Sequence, residues 1–244
     1  MRQVSMRIAI VSDIHGNLAA LDAVLDDLRA ASPDLVLHGG DLAAGGARPV
    51  EVIDRVRSLG WQGVLGNTDE LLFNPASLTE FAARSPHLKT LFAAIEETAA
   101  VTRERLGAER LAWLESLPRT QNAAAIALVH ASPASVWQAP GAGAPDAELD
   151  SIYAPLDHSI AVYAHIHHPY VRRVANRIIA NTGSVSLSYD GDSRASYLLI
   201  DDDEPHIRRV AYDLAGECRA LAQCGLPNAD WIATTLQKAS FVMP

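Results

Sequence analysis

Seven side chains able to ligate a metal stand in order along the chain, each at the end of an apolar run: Asp13 and His15, Asp41, Asn67, His130, and His165 with His167. They comprise two carboxylates, one amide oxygen and four imidazoles, without a thiolate. Such a set suits first-row divalent ions such as Mn²⁺, Fe²⁺, Co²⁺ or Zn²⁺, and is too rich in nitrogen for Ca²⁺ or Mg²⁺ alone. Seven protein ligands are too many for one ion that keeps an open position. They fit two ions about 3.5–4 Å apart, bridged by a carboxylate and a water, as in two-metal phosphoryl hydrolysis.

Taken singly, each motif has an ordinary explanation. Asp13-x-His15 could be polar residues closing a strand, and Asp41 after Gly-Gly could cap a turn. Gly66-Asn67 is a common turn dipeptide, and His130 could be a hydrogen-bonded core histidine. His165-x-His167 sets both rings on one face of an extended segment, which chelation requires. What separates the set from coincidence is its placement at carboxyl ends of strands, outside which ligands of open α/β sheets bind. The other histidines are not needed: His38 reads as packing or support, His168 turns away from His167, and His87, His158 and His206 sit in polar or loop contexts.

The elements that must position these residues are legible in the apolar pattern. Arg7–Val11 is a buried strand, followed by a helix over about 18–30 capped by Asn17, with Leu18, Leu21, Leu25 and Leu28 on one face. Asp34–Leu37 is a second strand, Pro49 opens a second helix that Gly60 stops, and Trp61–Leu65 is a third strand. This alternation predicts parallel strands. Residues 70–118 break the rhythm as helices only, near 77–84, 87–105 and 108–116, and read as a helical insertion. Strands follow at Ala124–Val129 and Ile160–Ala164 around a helix near 146–153. The hairpin Val171–Val174 with Arg177–Ala180, the pair Ser196–Ile200 and Ile207–Tyr212 around the turn Asp201–Pro205, and a helix near 228–239 complete the chain.

At 244 residues, 49% of them hydrophobic, the chain can bury a sizeable core as one globular domain over 1–244. No apolar run approaches the roughly 20 residues needed to span a bilayer, and the N-terminus lacks a signal pattern, so a cytoplasmic location is expected. Met6 is as good a start as Met1. The net charge of −9 argues against a nucleic-acid backbone as the main partner. Cys218 and Cys224 lack the neighbouring ligands of a zinc site and read as ordinary thiols.

Asp13-x-His15, Gly40-Asp41, Gly66-Asn67, His130 and His165-x-His167 resemble the five signature motifs of the calcineurin-like metallophosphoesterases. Ser12-Asp13-Ile14-His15-Gly16-Asn17 and Asn181-Thr182-Gly183-Ser184 resemble most closely the bacterial and archaeal phosphodiesterase branch, of YfcE-like proteins. The resemblance implies an α/β (α+β) fold: a four-layer α-β-β-α sandwich of two mixed sheets flanked by helices. It implies that Asp13, His15 and His167 hold one divalent ion, that Asn67, His130 and His165 hold the other, and that Asp41 bridges them. The implied reaction is in-line attack on phosphorus by a metal-bridging hydroxide, with Asp41, Asn67 and His130 at the reacting centre. The expected ions are two Mn²⁺, with Fe, Zn, Co or Ni as substitutes.

Three departures bear on substrate. Many members carry His after Gly-Asn, acting on the leaving group; here Thr68 stands there, which argues for diesters or activated esters. Asp69 is a candidate proton donor in its place, with support of the loop as the other role. Ala164 and Ile166 replace the usual Gly and Thr around His165, without loss of a ligand. Ser188-Tyr189 replaces a common Pro-Arg, which leaves Arg194 as a substitute phosphate contact beside Asn17 and Thr68. The expected function is a phosphodiesterase on a small-molecule ester; the rivals are a phosphomonoesterase of the same superfamily and a non-catalytic scaffold on the same fold.

Overall fold

The computed structural model describes residues 6–244. Strands β1 (Ile8–Val11), β2 (Leu35–His38) and β3 (Gln62–Gly63) run parallel, joined through helices α1 (Leu18–Ala31) and α2 (Pro49–Ser58). Helices α3 (Asn67–Phe73), α4 (Ala76–Ala82) and α5 (Lys89–Glu115) follow. A second sheet holds β4 (Thr120–Ala123), β5 (Ile126–Val129), β6 (Ile160–Tyr163), β7 (Tyr170–Val174) and β8 (Arg177–Asn181), in the order β4-β5-β6-β8-β7, with α6 (Asp146–Tyr153) between β5 and β6. The chain returns to the first sheet with β9 (Ala195–Asp201) and β10 (Glu204–Val210), giving the order β10-β9-β1-β2-β3. It ends in α7 (Leu214–Gln223) and α8 (Ala229–Lys238).

Period-two alternation builds the layers. Ile8, Ile10, Leu37, Leu198 and Ile200 of the first sheet meet Ile126, Leu128, Ile160, Val162 and Ile178 of the second between the sheets. Ala9 and Val11 face outward, against Leu21 and Val24 of α1 and Val52, Ile53 and Val56 of α2. On the far side, Ala161, Tyr163 and Ile179 receive Leu149 and Tyr153 of α6. The fold is therefore the expected helix-sheet-sheet-helix sandwich of two mixed sheets.

Several local expectations need correction. The third strand pairs only at Leu37 with Gln62 and His38 with Gly63, because Leu65 N–H turns away to Pro118 O. The run from Ala124 begins with a turn, Ala124 having φ 50°, so that polar β4 pairs antiparallel with β5; Thr-Gln-Asn-Ala carries no apolar signal for a strand. Pro205 lies inside β10 and not in the turn, tolerated because β10 is an edge strand. Helix α7 was not anticipated; Asp213 caps it by accepting from Gly216 N–H.

The helical segment is also more central than an insertion. Leu71, Leu72, Phe92, Ala99, Leu106 and Leu114 share the core of α1 and α2. Gly107, at φ 69° and ψ 171°, breaks α5 between the two helices that the sequence pattern separates.

Candidate metal centre

All seven predicted ligands lie just beyond the carboxyl ends of parallel strands or at the start of the following helix: Asp13 and His15 after β1, Asp41 after β2, Asn67 opening α3, His130 after β5, and His165 and His167 after β6. The loops are tied to one another by backbone. Asp13 N–H donates to Gly40 O (3.0 Å), His15 N–H to Asp41 O (3.0 Å) and Gly16 N–H to Leu42 O (2.8 Å). Five of the seven adopt positive φ: Asp13 (53°), His15 (48°), Asp41 (55°), His165 (68°) and His167 (57°). That conformation turns the chain sharply at each strand end, at a cost of about 1 kcal/mol or more per non-glycine residue.

The side chains fall into two clusters. His167 Nε2 lies 3.2 Å from Asp13 Oδ1, and 3.4 Å from His15 Nε2. In the other, Asn67 Oδ1 lies 2.9 Å from His130 Nε2 and 2.8 Å from His165 Nδ1. Asp41 stands between, with Oδ2 3.8 Å from His15 Nε2 and Oδ1 3.6 Å from His130 Nε2. Donor atoms of Asp13, His15 and His167, and of Asp13, Asp41 and His130, lie within 4.8 Å of one another in each group.

Hydrogen bonding around the rim decides which atoms face inward. Nδ1 of His15, His130 and His167 contacts the carbonyl oxygens of Ala44 (2.7 Å), Gly39 (2.7 Å) and Leu187 (2.6 Å). A carbonyl only accepts, so each Nδ1 carries the proton and each Nε2 offers a lone pair to the centre. Three lone pairs, the buried Asp13 Oδ1 that has no hydrogen-bond partner, and the Asp41 carboxylate then converge. Burial pushes the Asp13 pKa up, but the facing imidazoles, His167 first, outweigh it and hold the carboxyl below its usual range. Burial pushes His130 down, yet the charges of Asp41 and Asp13 prevail and raise it. Burial, then the neighbouring His130, lowers His165 to about 4. Such a centre calls for positive charge, and its mixed oxygen and imidazole donors fit divalent transition ions.

Close packing fixes Asp41. Thr68 N–H donates to Asp41 Oδ1 at 2.9 Å. A Cβ on Gly66 would sit 2.1 Å from that oxygen, and one on Gly40 would meet Gly66 N at 2.5 Å. Asp69, fully buried, accepts from Asp41 N–H (2.7 Å), Leu42 N–H (2.9 Å) and Gly66 N–H (3.3 Å). Burial, then the charge of Asp41, raises its pKa to about 7. Its oxygens are directed at amides of two loops, the arrangement that its expected loop-supporting role requires.

Two predicted substrate contacts stand elsewhere. Asn17 is fully buried, accepting from Ala20 N–H (3.0 Å) as the cap of α1 and donating to Ser186 Oγ (3.2 Å). Arg194 is exposed and paired with Asp192 (2.6 Å), outside the cleft. Thr68 does line the cleft, with a buried hydroxyl that has no partner. The Asn181-Thr182-Gly183-Ser184 motif supports the ligand loops: Asn181 Nδ2 donates to Ala164 O (2.7 Å) and Ser184 Oγ to Asp13 O (2.9 Å).

Above the ligands is a cleft of about 170 Å³ whose upper wall sequence reasoning missed. Ile95 and Thr98 of α5, Leu187 and Tyr189, and Trp231 and Ile232 of α8 form it. Tyr189 stacks on His167 with ring centroids 4.6 Å apart. Its place as a departure from Pro-Arg was the available signal; for α8 the sequence offered none.

A profile described as the calcineurin-like phosphoesterase superfamily domain matches residues 6–204. An uncharacterised protein of Methanocaldococcus jannaschii is 27% identical over 256 residues, covering 96% of this chain and 98% of that protein. The symmetrical bis(5′-nucleosyl)-tetraphosphatase of Methylococcus capsulatus is 31% identical over 155 residues, covering 62% of this chain and 52% of that protein. Among solved structures, a metallophosphoesterase from Sphaerobacter thermophilus aligns with TM-score 0.78 at 29% identity, over 96% of this chain and 99% of that one. A hypothetical protein from Pyrococcus horikoshii shares the fold at TM-score 0.82 and 18% identity, over 94% and 97% of the two chains. With its fold, its converging ligand set and a family match over most of its length, this chain belongs to the calcineurin-like phosphoesterase superfamily.

Proposed function

We propose that this protein is a dinuclear-metal phosphodiesterase acting on a small-molecule phosphate ester. The observation that carries the reading is the Asp41 carboxylate, whose two oxygens face opposite ligand clusters. Asp13, His15 and His167 would hold one ion and Asn67, His130 and His165 the other, with Asp41 shared. Bound there, divalent ions would neutralise phosphate oxygens and lower the pKa of a coordinated water toward neutrality. The chain's own part is orientation: backbone carbonyls fix three imidazole tautomers, and Asp69 holds the Asp41 and Asn67 loops in register.

Thr68 supports diesters over monoesters. Thr68 lines the cleft at the position where many members carry a general acid, and a threonine cannot donate a proton near neutral pH. Lacking such a group typically costs about 10²–10⁴-fold, a loss felt least by esters with good leaving groups. We propose Mn²⁺ as the working ion and the cytoplasm as the compartment. A second reading, hydrolysis of a dinucleoside polyphosphate, draws support from the name of the Methylococcus relative, over 62% of this chain.

Metal content of the purified protein, with hydrolysis of an aryl phosphodiester and the matching monoester in added Mn²⁺, tests the proposal. Near two metals per chain and preferential diester hydrolysis, abolished in Asp41→Asn, are expected. A chain that binds no metal and turns over neither ester after Mn²⁺ addition would leave only a scaffold.

A further inference from the structure

The cleft is chemically two-sided. Its floor is the ligand set, and its upper wall is Ile95, Thr98, Leu187, Tyr189, Trp231 and Ile232. None of the described residues lining it is Lys or Arg. Arg194, the one arginine that the sequence offered for phosphate, is paired with Asp192 outside it. Two ions on the floor can offset one phosphoryl group. A second phosphate seated against that wall would meet apolar side chains without a cation, and burying an unpaired charge is strongly unfavourable.

The character of the wall narrows the ligand further. The cleft opens to solvent, and the face it presents beside the ligand set is apolar and aromatic. Trp231 donates its Nε1–H to Val242 O at 2.7 Å, and Tyr189 lies flat on His167 with Phe241 edge-on at 5.8 Å. Both aromatic side chains are thereby held in place, so the wall is preorganised. Tyr and Trp accept a ring in offset or edge-to-face contact.

We infer that the substrate carries a single phosphoryl group and an uncharged organic group with an aromatic ring, seated against Ile95, Tyr189, Trp231 and Ile232. The inference rests on the phosphodiesterase reading of the same site. It sets the esters of this chain apart from polyphosphates, which need cations along the chain of phosphates.

Calorimetric titration of the Mn²⁺-loaded protein with phenylphosphonate and with methylphosphonate separates the wall from the floor. The phenyl compound is expected to bind at least about tenfold more tightly, from the apolar area of the ring. Trp231→Ala and Ile95→Asn, on different helices so that misfolding of one leaves the other, should each reduce that ratio to about threefold or less, with methylphosphonate affinity retained. Equal affinities in the unaltered protein, or an unchanged ratio in both variants, would overturn the inference. So would a kcat/KM for ATP equal to that for a phenyl-bearing diester. Preferential phenylphosphonate binding without turnover of any ester would instead overturn the phosphodiesterase reading and leave the ring-binding wall in place.

Discussion

A left-handed backbone at Asp13, His15, Asp41, His165 and His167 sets the candidate centre against the local preference of its own residues. The compensation comes from loops hydrogen-bonded across one another and from Asp69, whose carboxylate takes amides of both the Asp41 and Asn67 loops. His38 shows the same demand in another form. Both its ring nitrogens are buried without a partner, beside Trp113 at 6.1 Å, and burial lowers its pKa to about 4. An unfolded histidine near 6.5 takes a proton that the folded one refuses, so stability falls as pH drops from about 6.5 toward 4. His38→Leu should remove that dependence: by denaturant unfolding in chelator, its stability loss between about pH 7 and about pH 5 should be roughly 2 kcal/mol smaller than that of the unaltered protein. Equal losses in both proteins would refute the assignment.

At the scale of elements, α5 does two jobs on either side of Gly107. Its first part contributes Phe92 and Ala99 to the core and Ile95 to the cleft wall. Its second part runs beside α2, with Arg110 paired to Asp54 (2.7 Å) and Arg57 to Glu109 (2.8 Å). Only a residue at ease with φ 69° and ψ 171° can join the two directions. A Cβ at Gly107 would meet nothing within 4 Å, so the cost of Gly107→Ala is backbone strain alone. We expect about 1–2 kcal/mol of destabilisation in a denaturant melt, with metal content unchanged. A neutral substitution would mean that the kink straightens without penalty. Excising the helical segment would strip Leu71, Leu72, Phe92, Leu106 and Leu114 from the main core, and so cannot isolate a role in substrate selection.

For the whole molecule, the two sheets and their helices hold an uncompensated cluster of carboxylates and lone pairs where the sheets' carboxyl ends meet. Cations that bind only the folded state must therefore stabilise it. At a hundredfold excess over Kd each bound ion adds about 2.7 kcal/mol, a rise in Tm of about 5–10 °C for a chain of this size. Thermal unfolding with added Mn²⁺ and with chelator measures this directly. A Tm indifferent to both would refute the metal centre independently of any substrate. Among the described residues no helix is long and apolar enough to cross a membrane.

The placement of the seven candidate side chains at strand ends, the helix-sheet-sheet-helix layering and the family were legible in the sequence, because strand ends announce themselves when an apolar run stops at a polar turn. The kink in α5 was legible too, as a gap between two amphipathic stretches. Strand β4, made of Thr-Gln-Asn-Ala, carried no apolar pattern and forms only because β5 lies beside it. The placement of Arg194 was equally hidden, since a side chain's type does not say whether it will face a cleft or pair with a neighbour outside it; Asn17 as the cap of α1 and Asp69 as a support of its loop were legible. The cleft wall joins Ile95, Tyr189 and Trp231 from three distant parts of the chain. Local preference determines elements and their ends. Which apolar faces meet above the ligands is decided where the helix of residues 89–115 meets the segment leading into that of 229–238, Thr98 Oγ1 donating to Pro227 O and Asn228 Nδ2 to Ala94 O, and tertiary structure alone sets that.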